Sequence, residues 1–129
     1  MNERPARILI VDDEELNLVL IEEILAGENL LITKARDGIE ALDKFDKFQP
    51  DLVLLDLLMP RLNGFEVCAQ IKRSAAGRTV PVIILTSLDE SEAETEVRRR
   101  GADGLLNKLF LYETLVDRIR TLLPANLCR

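Results

Sequence analysis

Leu52-Val53-Leu54-Leu55-Asp56 is an unbroken aliphatic run that stops on a carboxylate. Its apolar residues do not alternate with polar ones, so a strand here is buried on both faces, as in a parallel sheet covered by helices. Three other segments repeat the arrangement. Ile8-Leu9-Ile10-Val11 stops at Asp12-Asp13, Val82-Ile83-Ile84-Leu85 stops at Thr86, and Leu105-Leu106 leads through Asn107 to Lys108. If these are parallel strands separated by helices, the polar residues that end them share the carboxyl edge of one sheet. Open α/β sheets hold their ligands and chemistry at that edge.

Outward from these runs, strand-like and helix-like segments alternate along the chain, with no internal repeat and no low-complexity linker. Strands are expected from Arg7 to Val11, Leu30 to Ala35, Leu52 to Leu55, Val80 to Leu85 and Leu105 to Asn107. The first helix, from about Glu14 to Ala26, carries Leu16, Leu20 and Ile24 at a spacing of four, with Gly27 as its stop. Ile39, Leu42 and Phe45 line the second, which Gln49-Pro50 ends. The third, from about Phe65 to Ser74, buries Phe65, Cys68 and Ile71. The fourth, from about Glu90 to Arg100, has only Ala93 and Val97 as apolar residues and is weakly anchored. The fifth, from about Tyr112 to Leu123, carries Leu115, Val116, Ile119, Leu122 and Leu123, and Pro124 closes it. The predicted fold class is α/β, a (βα)5 doubly wound parallel five-stranded sheet in the flavodoxin-like order 2-1-3-4-5. That order makes Asp12, Asp13 and Asp56 neighbours across a long stretch of sequence.

The 129 residues suit one domain, expected over 1–124, with 125–129 as a tail or the start of a linker. A hydrophobic content of 47% argues against disorder. The net charge of −6 disfavours direct nucleic-acid or anionic-membrane binding by this domain. No apolar stretch approaches the roughly 18 residues that cross a bilayer, and the opening Met1-Asn2-Glu3-Arg4-Pro5 lacks a signal-like apolar core. A cytoplasmic location is expected. Cys68 and Cys128 lack metal or redox spacing; Cys68 reads as a small buried hydrophobe and Cys128 as a free thiol in the tail. There is no histidine, which removes Ser-His and Cys-His catalysis and His-ligated zinc. Any phosphohistidine donor must be another protein.

An acidic pair facing a third aspartate forms a strongly negative, oxygen-rich pocket. Left bare it would repel phosphate and raise a carboxyl pKa. A hard divalent cation resolves both, and Mg²⁺ takes one or two carboxylates plus waters and phosphate oxygens. With Mg²⁺ bound, Asp56 can attack a phosphoryl group as a carboxylate nucleophile. Lys108 can pair with Asp56 or a phosphoryl oxygen, and Thr86 can donate to another oxygen. Taken singly, an aspartate after a strand is more often a cap or turn residue, and Thr86 or Lys108 alone would be a cap and a solvated lysine. It is the convergence of all five on one edge that points to chemistry. Asp37-Gly38 and Asp103-Gly104 read as ordinary turns. Asp89-Glu90-Glu92-Glu94-Glu96 reads as a solvated helix face, and Arg98-Arg99-Arg100 as its dipole-compatible end or a docking patch.

ILIVDDE, LVLLDLLMPRLNGFEV, VPVIILTS and GADGLLNK together resemble the receiver domain of two-component response regulators, from about Arg7 to Leu123. The resemblance implies that Asp56 is the phosphoacceptor and that Asp12 and Asp13 form the metal pocket, with the backbone carbonyl of Leu58 as a further ligand. It implies Thr86 as the switch hydroxyl, Lys108 as the lysine that bridges to the phosphoryl group, and Pro60 and Gly64 as loop residues. Two positions depart from the family pattern. Leu109 stands where proline usually follows the lysine, which predicts a trans bond after Lys108. Leu105 stands where an aromatic ring commonly swings inward. Leu105, Leu109, Phe110 and Leu111 form either core packing or an apolar partner patch.

The implied function is a phosphorelay switch. A sensor histidine kinase or histidine phosphotransfer protein gives its phosphoryl group to Asp56, and the surface of helix four, strand five and helix five changes its affinity for a downstream effector domain or protein. Homodimerisation is left open. The rival readings are a degenerate receiver acting as an unphosphorylated interaction module, a haloacid-dehalogenase-like aspartyl phosphatase, and a flavodoxin-like cofactor binder. The phosphatase wants an acid where Leu58 stands, and the cofactor binder wants a Ser/Thr/Gly-rich loop where Asp12-Asp13-Glu14-Glu15 stands.

Overall fold

Five parallel strands form one sheet in the order β2-β1-β3-β4-β5, as expected. The structure, a computed structural model, describes residues 4–59, 62–87 and 90–123, with the side chains of 90–94 left aside. The strands are β1 (Ala6–Val11), β2 (Leu30–Ala35), β3 (Leu52–Asp56), β4 (Val82–Thr86) and β5 (Gly104–Asn107). The helices are α1 (Glu15–Leu25), α2 (Gly38–Phe48), α3 (Gly64–Arg73), α4 (Glu90–Arg99) and α5 (Leu111–Leu122). A 3-10 turn, Lys108–Phe110, which the sequence reading lacked, joins β5 to α5. Among the described residues no peptide bond is cis, so Lys108–Leu109 is trans as expected.

Alternate residues of the central strands feed two cores. Ile8, Ile10, Leu54, Ile83 and Leu85 pack with α1 and α5 through Leu18, Ile21, Leu115 and Ile119. Leu9, Val11, Val53, Leu55 and Ile84 pack with α2, α3 and α4 through Ala41, Phe45, Val67, Cys68, Ile71 and Val97. Apolar side chains on both faces explain why these strands do not alternate.

Two helix faces differ from the sequence expectation. On α1 the buried residues are Leu18, Ile21 and Leu25, whereas Leu16 is 81% exposed and Leu20 and Ile24 are half-buried. A row at constant spacing of four drifts around a helix of 3.6 residues per turn, so its first member leaves the contact face. On α2, Ala41 and Phe45 are buried and Ile39 is exposed. Phe65 of α3 is half-buried, with the Arg100 guanidinium 5.3 Å from its ring centre, and Val67 takes the interior place. Asp37-Gly38 is a helix start rather than a free turn: Asp37 Oδ1 accepts the Glu40 N–H at 2.8 Å. Asp103 pairs with Lys72 at 2.7 Å and accepts the Val82 N–H, tying α3 to the start of β4.

Val97 of α4 is buried, while Arg98, Arg99 and Arg100 lie outside the core. A cavity of about 430 Å³ opens beside it, lined by Val97, Arg98, Ala102, Leu105 and Arg118. Of the two apolar residues on which the weak anchoring of this helix was expected to depend, Val97 is buried and the Ala93 side chain lies outside the described ones. Pro60, Asp89, Pro124, Cys128 and the 125–129 tail lie outside the described residues, as do the side chains of Glu90, Glu92, Ala93 and Glu94. Among the described residues no helix is long and apolar enough to cross a membrane.

Candidate functional site

β1 and β3 lie side by side, with Val11 paired to Leu55. The next residue of each strand is therefore an aspartate at the carboxyl edge. Asp12 continues the sheet by donating its N–H to the Ala35 carbonyl at 3.0 Å. Its Oδ1 then accepts the Glu14 N–H at 2.9 Å, an aspartate turn that reverses the chain into α1. Asp56 ends β3 in register with Leu85, and the Leu57 N–H reaches the Leu85 carbonyl at 3.0 Å.

Carboxylate oxygens of Asp12, Asp13 and Asp56 lie within 4.8 Å of one another. An octahedral shell at about 2.0–2.1 Å spaces its oxygens about 3–4 Å apart, so this all-oxygen set fits a hard cation such as Mg²⁺. Asp12 is fully buried, Asp56 is 4% exposed and Asp13 is exposed. The Lys108 ammonium sits 2.9 Å from Asp56 Oδ1 and 3.1 Å from Asp12 Oδ2. One ammonium against three carboxylates leaves a negative site that a divalent cation would bring to balance.

The electrostatics follow from that count. Burial pushes the Asp56 carboxyl up to about 6; the Lys108 hydrogen bond opposes this, and Asp12 and Asp13 add to it. Burial by itself would lower the Lys108 pKa, but the contacts with Asp56 and Asp12 outweigh it and the net direction is up. Lys108 is therefore charged throughout the neutral range.

Thr86 is buried at the end of β4, beside Asp56 in the sheet order, and opposite Asn107 in the β4–β5 register. Leu58 follows next but one after Asp56 with its side chain exposed. Asp12, Asp13, Asp56 and Lys108 are thus brought together, with Thr86 on the adjoining strand end. Leu105 is half-buried against the second core, Leu111 is buried, and Leu109 and Phe110 are exposed. The four-residue apolar group is therefore split between core and surface.

Two asparagines escaped the sequence reading. Asn17 approaches Asp12 Oδ1 at 3.5 Å, and Asn107 Oδ1 accepts the Leu109 N–H at 2.8 Å. The second carried a legible signal, since an asparagine just ahead of a helical turn is a preferred cap.

Close packing holds the Asp56 loop. Asn63 and Glu66 form a reciprocal cap at the start of α3, and the Gly64 N–H donates to the Leu57 carbonyl at 2.9 Å. A Cβ on Gly64 would stand 2.5 Å from the Asp56 carbonyl oxygen and 2.9 Å from Leu57 Cα. Both are backbone atoms and cannot rotate aside. Gly64→Ala is expected to cost about 1–3 kcal/mol of stability and, by shifting Asp56, to weaken any Mg²⁺ binding at the three carboxylates. Thermal unfolding and calorimetric Mg²⁺ titration check both, and unchanged values would contradict the packing argument.

The family model of the response regulator receiver domain matches residues 8–120. The response regulator MprA of Mycobacterium sp. (strain KMS) is 39% identical over 119 residues, which cover 92% of this chain and 51% of that protein. MprA of Mycobacterium avium (strain 104) is 38% identical over 117 residues, covering 91% and 50%. The chain thus spans about half the length of these relatives. Among solved structures, the chemotaxis response regulator CheY4 of Vibrio cholerae matches with a TM-score of 0.86 and 30% identity, over 92% of this chain and 99% of that one. The signal receiver domain of a signal transduction histidine kinase from Syntrophus aciditrophicus matches with a TM-score of 0.82 and 30% identity, over 91% and 89%. With the fold, the acidic edge and the bridging lysine in place, the chain belongs to the response regulator receiver family of two-component signalling.

Proposed function

We propose that Asp56 accepts a phosphoryl group from a phosphohistidine on a partner protein, with Mg²⁺ held by Asp12, Asp13, Asp56 and the Leu58 carbonyl. The observation that carries this reading is the Lys108 ammonium in contact with both Asp56 and Asp12, in a cluster of three carboxylates. A buried aspartate with a cation on one oxygen is both restrained in geometry and kept partly ionised. Bound Mg²⁺ would supply the remaining positive charge for the incoming phosphoryl oxygens. Thr86, on the neighbouring strand end, would donate its hydroxyl to one of them.

The acyl phosphate adds about −1.5 to −2 charge by analogy with other protein phosphates. Thr86 would be drawn toward it, carrying the segment that leads into α4. Leu105 is aliphatic, so the family's ring movement has no counterpart at this position, and α4 is the element left to respond. With only Ala93 and Val97 as apolar residues in its sequence, α4 would have a low opening energy and suit a two-state element. The α4, β5 and α5 face would then alter its affinity for a downstream effector domain or protein. The donor would be a sensor histidine kinase or a histidine phosphotransfer protein, since these residues themselves hold no histidine. We assign residues 1–124 to this module and 125–129 to a tail or linker, and the location of the module to the cytoplasm.

Incubation with Mg²⁺ and acetyl phosphate tests the reading. Intact-mass spectrometry should find one added phosphoryl group, peptide mapping should locate it on Asp56, and EDTA should prevent it. A chain that stays unmodified, while a known receiver is labelled in the same tube, would leave the degenerate interaction module as the better description. Turnover of small phosphate esters would favour the aspartyl phosphatase.

A further inference from the structure

We infer that Asn107 is a positioning residue, whose side chain sets the turn that brings the Lys108 ammonium to Asp56. The inference rests on the role proposed above for Lys108 in phosphoryl transfer. β5 ends at Asn107 and the 3-10 turn begins at the very next residue. A strand that passes straight into a helical turn leaves the first N–H groups of the turn without intrahelical acceptors. Asn107 keeps an extended backbone, with φ −82° and ψ 129°, and its Oδ1 accepts the Leu109 N–H at 2.8 Å. Lys108 lies inside the ring this bond closes, so its backbone angles are restrained from both sides.

Packing does not supply the same restraint. Leu109 is 76% exposed and Phe110 54%, and burial resumes only at Leu111. The root of the Lys108 side chain therefore depends on the asparagine turn more than on the core. That root matters because a lysine stem is flexible, and here its tip must reach Asp56 at 2.9 Å and Asp12 at 3.1 Å together. The β4–β5 register sets Asn107 opposite Thr86, so the turn is fixed relative to the strand that bears the hydroxyl.

The bond also requires an N–H at position 109. Proline would have none, but its ring would fix φ covalently. In this chain Leu109 supplies the donor and Asn107 the acceptor, and a hydrogen bond takes the place of a covalent restraint.

The experiment follows phosphorylation of the full chain by acetyl phosphate at saturating Mg²⁺, with Mg²⁺ affinity measured by calorimetry. Asn107→Ala should slow phosphorylation by about tenfold through misplacement of the lysine, while Mg²⁺ affinity does not fall. Asn107→Asp keeps the acceptor and should stay within about threefold of wild type, since the two residues cap almost equally well. In a Leu109→Pro background, which has no N–H to donate to position 107, the further change Asn107→Ala should cost almost nothing. The inference is overturned by a wild-type rate in Asn107→Ala, by a loss as large in the proline background as outside it, or by a parallel fall in Mg²⁺ affinity. Lys108→Ala serves as the control. If wild type itself takes no phosphoryl group, or Lys108→Ala is as fast as wild type, the reading of the site fails. If Lys108→Ala is slow and Asn107→Ala is not, only the positioning role fails.

Discussion

Asp56→Asn will gain no phosphoryl group under conditions that label the wild type, and without Mg²⁺ at pH 8 it will unfold at a higher temperature. The first effect follows from chemistry, because an amide oxygen is not a carboxylate nucleophile. The second follows from linkage. The folded carboxyl titrates near 6 against an ordinary value of 3.8, so between these limits the folded state holds more protons than the unfolded one. Stability of the metal-free wild type must then fall as pH rises from about 4 to about 6, and level off above. Asparagine has no proton to lose and escapes that fall. The gain at pH 8 is on the order of 1–2 kcal/mol, after allowance for solvent at the open edge. Mg²⁺ should reverse the ranking if, as proposed, it binds the folded wild type, which it would then stabilise by mass action. Melting curves at pH 5 and pH 8, with and without Mg²⁺, read all of this. An identical pH dependence in the two proteins would remove the electrostatic account of the pocket.

Lys108→Ala should move two properties in opposite directions. The Lys108 side chain is 19% exposed, and its ammonium contacts both Asp56 and Asp12. Its loss leaves the buried carboxylates without that partner, which should cost about 2–3 kcal/mol of stability at neutral pH without metal, the cost of a fully buried pair reduced by solvent at the open edge. The Asp56 pKa should rise further, since the hydrogen bond that holds it down is gone. Mg²⁺ affinity at pH 8 should be kept or increased, because a competing cation has been removed. Phosphorylation at saturating Mg²⁺ should nevertheless fall by about a hundredfold, the usual loss of a charge aimed at a reacting oxygen. Calorimetry and a phosphorylation time course on the same preparation decide the matter. A joint fall of affinity and rate would mean that Lys108 maintains the fold and does not serve the transfer.

Strand order and the acidic edge were legible because four runs state their burial and their endpoints in the same few letters. Asp12 and Asp56 follow directly from Val11 and Leu55 being paired. Helix faces were less legible. The sequence of α1 offers two apolar rows, Leu16-Leu20-Ile24 and Leu18-Ile21-Leu25, and periodicity alone does not choose between them. The sheet chose the second. The 3-10 turn was missed for a related reason: Leu109, Phe110 and Leu111 are a continuous apolar run, and only contact with the core separates Leu111 from the exposed Leu109 and Phe110. Asn107 was readable as a cap, but its partner lay in a turn that hydropathy did not reveal.

Residues 97–102 tie the carboxyl end of α4 to its neighbours. Near its carboxyl end, Val97 enters the core, the Arg100 guanidinium lies over Phe65, the Arg100 carbonyl accepts from Cys68 Sγ at 3.8 Å, and the Ala102 N–H closes onto the Val97 carbonyl. In the proposed switch these contacts would serve as a fulcrum, with the end of the helix nearer Thr86 as the long arm of a lever. If Thr86 moves as proposed, the displacement would be amplified along that arm while residues 97–102 stay still. Amide exchange in α4 should therefore be graded, fastest toward Glu90 and slowest beside Val97.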